Sequence, residues 1–211
     1  MSHKLKRWIF NHFRDNFLIY IVVAAMFFIG IIVGAIAIKV LEPEKTNKIM
    51  LFVNSLFKSI DASNINNISI LKQSLIDNFK AIFVIWITST LFVGIIIVPI
   101  IVLFKGFALG FSVGFFVFEY GFKGFLFSIL GIFSQNLFIV PGIISISAIG
   151  LAFSFKNIRQ KKIRPRSKTF ISEFIDYSLL ILLFSILILI GCFIEAYLTP
   201  IFMKFFINYF S

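Results

Sequence analysis

The sequence predicts an all-α fold: a polytopic helical membrane protein with five transmembrane helices and additional amphipathic helices at the membrane interface. Hydrophobic residues make up 60% of the 211 residues and charged residues only 14%, whereas soluble domains average about 45–50% apolar and about 25% charged residues. The charges also collect in short segments between long uncharged runs. We therefore expect a single membrane domain over residues 1–211.

Residues 1–16 form a basic amphipathic segment that leads into the first uncharged run. Its apolar residues recur at helical spacing and are Leu5, Trp8, Ile9 and Phe13, followed by Phe17. A helix with one cationic face and one face carrying Trp and Phe lies flat in the headgroup zone. The segment is therefore predicted to anchor the chain at the cytoplasmic surface.

Five runs with few or no charges are predicted to cross the membrane. They are residues 17–38, 81–104, 106–118, 124–155 and 177–198. A run such as 17–38 spans a hydrocarbon core of roughly 30 Å at about 1.5 Å per residue. The run 106–118 is short for this purpose, so it must borrow flanking residues or the membrane must thin there.

The sequence supports three further expectations about these spans. Lys105 is expected at the cytoplasmic border of the short third span, and Pro200 is expected to end the fifth span. The run 124–155 is long enough for two arrangements, one tilted span or two half-helices.

Lysines and arginines set the predicted orientation. Residues 156–168 contain no acidic residue and are rich in basic ones, namely Lys156, Arg159, Lys161, Lys162, Arg164, Arg166 and Lys168. This basic loop and the basic N-terminal segment are both expected in the cytoplasm. The number of crossings between them must then be even, and the C-terminus lies outside. The loop 39–78, in which acids nearly balance the lysines, is predicted to be external.

Two elements outside the spans are predicted to be apolar and external. The loop 39–78 contains an amphipathic helix whose apolar residues follow helical spacing: Ile49, Phe52, Val53, Leu56 and Phe57. This face either rests on the outer leaflet or packs on a protein partner. The tail 199–211 places aromatic residues around Lys204 and is predicted to be interfacial.

Glycines recur at intervals of four residues in two spans. One stripe consists of Gly30 and Gly34, and the other consists of Gly106, Gly110 and Gly114. Small residues at this spacing let two helix backbones approach closely. The plain prediction is that the two stripes pack on each other within one chain, and the alternative is a homo-oligomer formed through one stripe.

Polar or irregular residues interrupt two of the predicted spans. They are Gln135, Asn136, Pro141 and Glu195. The two amides predict a kink or interhelical hydrogen bonds, and the alternative is that they line a polar cavity. Glu195 lies about one turn from the outer end of its span, where it either reaches headgroup water or has a functional role.

The sequence offers no arrangement of residues for catalysis. Both histidines, His3 and His12, lie in the N-terminal segment, and no HExxH, GxSxG or Walker motif occurs. The single cysteine, Cys192, cannot form a disulfide within the chain. We therefore expect no enzyme activity, cofactor or metal, and the segregated positive charge indicates membrane topology instead of nucleic-acid binding.

The complete layout resembles that of the stage II sporulation protein M family. The resemblance covers essentially the full chain, from the basic lead-in to the last span. It is carried by KGFALGFSVGF at 105–115, GIFSQNLFIVP at 131–141, the basic KNIRQKKIRPRSK segment at 156–168 and EAYLTP at 195–200.

This resemblance implies an integral protein of the bacterial cell membrane and sporulation septum that acts in engulfment of the forespore. Its implied partners are two peptidoglycan hydrolases, a lytic transglycosylase and an amidase and endopeptidase, which it holds as a non-catalytic scaffold. The alternative function is that of a membrane subunit of a transporter or permease that works with a cytoplasmic ATPase. A transporter predicts a continuous polar cavity, whereas a scaffold predicts a packed core.

Overall fold

The structure, a computed structural model, describes residues 2–61, 66–91, 93–161 and 169–210. Within these ranges every regular element is helical: α1 (Ser2–Asp15), α2 (Phe17–Val40), α3 (Pro43–Asp61), α4 (Asn67–Thr90), α5 (Gly94–Phe127), α6 (Ser134–Lys161) and α7 (Thr169–Phe210). A π-helical segment, Ser128–Phe133, joins α5 to α6. Three helical stretches are long and apolar enough to cross a membrane, namely Phe17–Val40, Gly94–Ile158 and Phe170–Phe205. The predicted all-α membrane class is confirmed.

The second predicted span, 81–104, is divided between two helices. Helix α4 ends at Thr90, and α5 begins at Gly94 and returns in the opposite direction. A β-carbon on Gly94 would lie 2.6 Å from the Cα atom of Ser89, so this tight contact between the two helices needs glycine. The expectation of one helix over 81–104 is therefore wrong, and an antiparallel α4–α5 hairpin replaces it.

Helix α4 begins earlier than expected, inside the predicted external loop 39–78. Asn66 caps its N-terminus, because its Oδ1 accepts hydrogen bonds from the backbone N–H groups of Ile68 and Ser69 at 3.1 and 3.2 Å. Helix α5, in turn, runs without interruption through 106–118. Lys105 consequently lies in the interior of a long helix and does not precede the start of a separate third helix.

Helices α2 and α5 run parallel and pack through both glycine stripes. A β-carbon on three of the glycines would overlap a backbone oxygen of the other helix; these pairs are Gly34 with Phe107, Gly106 with Phe27 and Gly110 with Ile31. A β-carbon on Gly30 or Gly114 would lie only 2.5 Å from the Leu103 oxygen or 3.0 Å from the Ala35 Cα. The structure thus places the two stripes against each other within one chain.

The run 124–155 follows a sharp reversal and is then continuously helical. Gly121 has φ 57°, a left-handed conformation that glycine adopts without strain, and it separates the first part of α5 from its last turns. After this break the Phe127 ring packs 4.6 Å from the Phe116 ring of α5. The helix then continues through the π segment into α6 and past Pro141. Two separate half-helices are therefore absent from this stretch, and its irregularity precedes Gln135.

Helix α7 is a single helix of 42 residues. It does not end at Pro200, as expected from the sequence, but includes the proline and most of the predicted interfacial tail 199–211. At about 1.5 Å per residue its length is roughly 63 Å, about twice the thickness of a hydrocarbon core. One end of α7 must therefore project well beyond the membrane.

Helix α7 packs antiparallel to α6. The Phe153 and Tyr177 rings stack with their centroids 4.3 Å apart, and Lys156 forms an ion pair with Glu173 at 3.1 Å. Residues 156–161 of the predicted basic loop extend α6, and residues 162–168 lie outside the described part of the chain. The start of α7 and the end of α6 therefore occupy the same end of the molecule.

Helix α3 coincides with the amphipathic helix predicted in the loop 39–78. Ile49 and Val53 are half-buried, and the Tyr120 hydroxyl donates a hydrogen bond to Met50 Sδ at 3.7 Å. Helix α3 also contacts α7. Part of its apolar face therefore packs on the protein itself, an arrangement that the sequence did not suggest. The side chains of the other predicted residues, Phe52, Leu56 and Phe57, lie outside the described set.

Replacing Gly110 by leucine should destabilise the protein. The added side chain would force α2 away from α5, and overpacking of this kind typically costs about 1–3 kcal/mol in the free energy of unfolding. Thermal unfolding in detergent can be followed through a thiol-reactive dye, since Cys192 is the only cysteine and is fully buried.

The matched control is Ala108→Leu, which places the same leucine side chain at an exposed position of the same helix. The control should unfold close to the wild-type temperature. Equal unfolding temperatures for the Gly110 and Ala108 variants would contradict the contact between the two stripes.

Candidate functional site

Polar side chains connect α4, α5 and α7 in the interior of the bundle. Lys105 Nζ donates a hydrogen bond to Asn78 Oδ1 at 3.1 Å. Asn78 Nδ2 donates to the backbone oxygen of Ser74 at 3.0 Å and lies 3.6 Å from Cys192 Sγ. The Ser74 hydroxyl donates to Glu195 Oε2. These four residues, Ser74, Asn78, Lys105 and Glu195, are called the polar network below.

The network supplies hydrogen-bond partners to polar side chains that are costly to bury. Ser74 and Asn78 are each only 6% exposed, and a buried polar group without a hydrogen-bond partner costs about 1–3 kcal/mol. An ammonium and a carboxylate within a membrane are tolerated when they pair or find hydrogen-bond partners. Because each end of the network lies on a different helix, its hydrogen bonds fix the register of α7 against the α4–α5 hairpin.

A second group of hydrogen bonds holds α7 one turn beyond Glu195. Thr199, four residues further along the same face, donates from Oγ1 to Gln135 Oε1 at 2.9 Å. The same hydroxyl lies 3.3 Å from the backbone oxygen of Gly131 in the π segment. Residues 195–199, called the α7 exit below, are therefore bonded to α4 on one side and to the α5–α6 connection on the other.

Further hydrogen bonds join the helices at the opposite end of the bundle. The Ser154 hydroxyl of α6 donates to the backbone oxygen of Ser89 at 2.9 Å. Trp86 Nε1 donates to Ser178 Oγ at 3.0 Å, and the Tyr177 hydroxyl donates to the Trp86 backbone oxygen at 3.2 Å. Helix α4 is thus bonded to its neighbours at both ends.

Of the four polar or irregular residues predicted within spans, the structure brings two to one place. Gln135 and Glu195 both lie beside the α7 exit. Asn136, by contrast, donates to the backbone oxygen of Ile132 in its own helix at 2.7 Å, and Pro141 is exposed. The four residues therefore do not line a common polar surface.

Three members of the polar network were not predicted from the sequence. The sequence predicts the external loop for Ser74 and Asn78 and the membrane border for Lys105. A signal was present, because apolar residues recur at helical spacing before the second uncharged run, at Ile68, Leu71, Leu75, Ile76 and Phe79. Extending that helix would have placed Ser74 and Asn78 on one face of it.

The family model for stage II sporulation protein M (SpoIIM) matches residues 23–200. This match includes both glycine stripes, the polar network and the α7 exit. The chain belongs to the stage II sporulation protein M family. The resemblance inferred from the sequence motifs is thereby confirmed, and membership identifies a sporulation-related membrane protein. No curated protein and no solved structure matches the chain.

Replacing Asn78 by leucine should destabilise this SpoIIM-family protein more than the same change at Asn136. Asn78 contacts side chains of two neighbouring helices. Its replacement removes the hydrogen-bond acceptor of Lys105, which should lower the free energy of unfolding by about 1–3 kcal/mol. Asn136 donates a hydrogen bond to a backbone oxygen four residues earlier, so we expect its replacement to lower the free energy of unfolding by less than about 1 kcal/mol. Thermal unfolding followed by circular dichroism compares the two variants. A larger loss for Asn136→Leu would argue against the network as a major source of stability.

Proposed function

We propose that this SpoIIM-family protein is a non-catalytic membrane scaffold that recruits and positions septal peptidoglycan-degrading enzymes during forespore engulfment. The observation that carries the proposal is the continuation of α7 beyond its hydrogen-bonded exit, as a helix to Phe210, at the end of the molecule where α3 also lies. Peptidoglycan is outside the cell membrane. A scaffold for its hydrolases needs a firmly attached surface on that side, and α3 with the end of α7 supplies one.

The proposed topology has five crossings, made by α2, α4, α5, α6 and α7. The N-terminus and the loop 156–168 are cytoplasmic and the C-terminus is external, as the distribution of basic residues favours. The alternating directions of the packed helices support this count. Hydropathy alone distinguishes three candidate spans in the described residues. Helix α4 is not one of them because it carries polar residues of the network. The apolar stretch Gly94–Ile158, which contains α5 and most of α6, counts as one span.

The interior of the protein supports a scaffold over the alternative of a transporter or permease subunit. A transporter using Gln135, Asn136, Pro141 and Glu195 requires these residues to share one polar surface. Glu195 and Gln135 instead accept hydrogen bonds from neighbouring helices, and Asn136 donates one within its own helix. Glycine contacts close the space between α2 and α5. Contacts of this kind favour a core that holds surfaces in place.

The proposed contact surface for the two hydrolases combines α3 with the end of α7. Its α3 members are the predicted residues Ile49, Phe52, Val53, Leu56 and Phe57. Leu51 on the same helix is 70% exposed, so α3 keeps apolar area that its own chain does not cover. Phe205 near the end of α7 is 52% exposed and is the α7 member of the proposed surface. Buried apolar and aromatic anchors of this type dominate binding energy at protein interfaces.

Changing Phe52, Leu56 and Phe57 of α3 to serine should reduce co-purification of both hydrolases from sporulating cells by at least about tenfold. The three truncations remove apolar anchors that typically contribute more than about 1 kcal/mol each. Quantitative pull-down in mild detergent measures the loss. The matched control, Asn47→Ala, changes an exposed polar residue of the same helix and should keep recovery at the wild-type level.

Membrane levels and thermal unfolding of the triple-serine variant must match the control for this comparison. Full recovery of both hydrolases with that variant would overturn the assignment of α3. Recovery of a cytoplasmic ATPase without either hydrolase from the wild-type chain would favour the transporter alternative.

A further inference from the structure

Helix α4 exposes two opposite charges halfway along the bundle. Asp77 and Lys80 lie beside the buried Asn78, and both of these charged side chains are exposed. Asn78 contacts Lys105, and the turn of α5 that carries Lys105 packs on the backbone of Phe27. Phe27 lies near the middle of α2, which is long and apolar enough to cross a membrane. The two exposed charges therefore lie close to the middle of the hydrocarbon core that α2 crosses.

Neither charge forms an ion pair within the described part of the chain. Gln73 Nε2 donates a hydrogen bond to Asp77 Oδ2 at 2.8 Å, and Lys80 has no ion-pair partner among the described residues. Lysines near the ends of membrane helices reach the headgroups, but Lys80 is about 15 Å from Thr90 at the inner end of α4. Lipid at this depth would leave both ions unpaired. Such ions are tolerated where water or another protein surface covers them.

We propose that a second copy of this chain covers these charges, in a symmetric dimer in which two α4 helices run side by side. Exposed residues recur on α4 at intervals of four, three and four positions, namely Gln73, Asp77, Lys80 and Val84. This is the spacing at which two helices pack along a common seam. The buried residues of α4, such as Asn78 and Ile85, lie on a different face. The four exposed residues are called the α4 seam below.

The charges of the α4 seam are complementary to those of a second copy. Copies with the same orientation in a membrane are related by a two-fold axis along the membrane normal, which sets their α4 helices parallel. Residue 77 of one copy then differs in height by about 4.5 Å from residue 80 of the other, and a lysine side chain spans that difference. Each Asp77 thus pairs with Lys80 of the second copy. An unrelated helix would need an acidic and a basic group at matching heights, whereas a second copy supplies both by symmetry.

Disulfide formation between copies tests the dimer in the full-length chain. Val84→Cys places a thiol on the α4 seam at a position that is 41% exposed. The matched control, Val22→Cys, places one at a position of α2 that is 47% exposed, and both positions lie within about two turns of the same end of the bundle. The native Cys192 is buried. On oxidation in vesicles at a low protein-to-lipid ratio, we expect a disulfide-linked dimer from Val84→Cys and only monomer from Val22→Cys.

Two results of this experiment would overturn the dimer. One is an equal yield of dimer from both chains, which would indicate random collisions. The other is a Val84→Cys thiol that forms no dimer and reacts with a water-soluble maleimide, which would indicate that water covers the charges of α4.

The reciprocal ion pairs are tested with two charge variants, Asp77→Lys and Lys80→Asp. Each variant alone brings like charges together at the α4 seam, so co-purification of two differently tagged copies should fall by at least about tenfold. Co-expression of the two variants restores opposite charges, and the tagged pair should then be recovered as a mixed dimer. The control, Lys39→Asp, makes the same change at an exposed lysine of α2 and should keep the wild-type recovery.

Recovery of the mixed dimer also shows that both charge variants fold. Wild-type recovery with either variant alone, or no mixed dimer from membranes that contain both chains, would contradict the reciprocal pairing. The dimer is measured without the hydrolases, so it can fail while the scaffold proposal stands.

Discussion

The fold depends on one constraint, which is that buried charged and amide side chains need hydrogen-bond partners within the protein. Helix α4 carries Ser74 and Asn78, α5 carries Lys105, and α7 carries Glu195. Neither Lys105 nor Glu195 can face lipid without a large free-energy cost. The hydrogen bonds from Ser74 to Glu195 and from Lys105 to Asn78 form only if the three helices adopt one mutual arrangement. The polar network therefore selects this arrangement among the many that apolar packing alone permits.

The glycine contacts and the α7 exit extend this arrangement to the rest of the molecule. Contact between the backbones of α2 and α5 at Gly106 and Gly110 holds α5 in place, so that Lys105 meets Asn78. On the far side, Glu195 and Thr199 bind α7 to its neighbours where it leaves the bundle. A helix bonded at that point transmits the orientation of the core to its outer end. Rigidity of this kind is what the proposed scaffold requires.

The sequence predicted the helical class, the first helix of the bundle and the family, because uncharged length and short motifs carry that information locally. It failed where polar residues lie inside a helix. Lys105 and the polar stretch before residue 81 were interpreted as borders, since hydropathy cannot distinguish a charge at a membrane surface from one paired inside a bundle. Pro200 was interpreted as a helix end, although neighbouring helices can support a helix through proline. Pairing partners such as Ser74 and Glu195 lie 121 positions apart, and one sequence gives no sign of such contacts.

The central claim, that α4 lies against α7 with Asn78 facing Cys192, is tested most directly by one disulfide. Asn78 Nδ2 is 3.6 Å from Cys192 Sγ, so an Asn78→Cys chain should form a disulfide with the native cysteine on oxidation. After cleavage at a protease site inserted within residues 162–168, the account predicts that the two fragments stay joined until a reductant is added. The control chain, Lys80→Cys, places its thiol at an exposed position of the same helix and should release the fragments. Separation of the Asn78→Cys fragments without reductant, or joining in the control alone, would contradict the account.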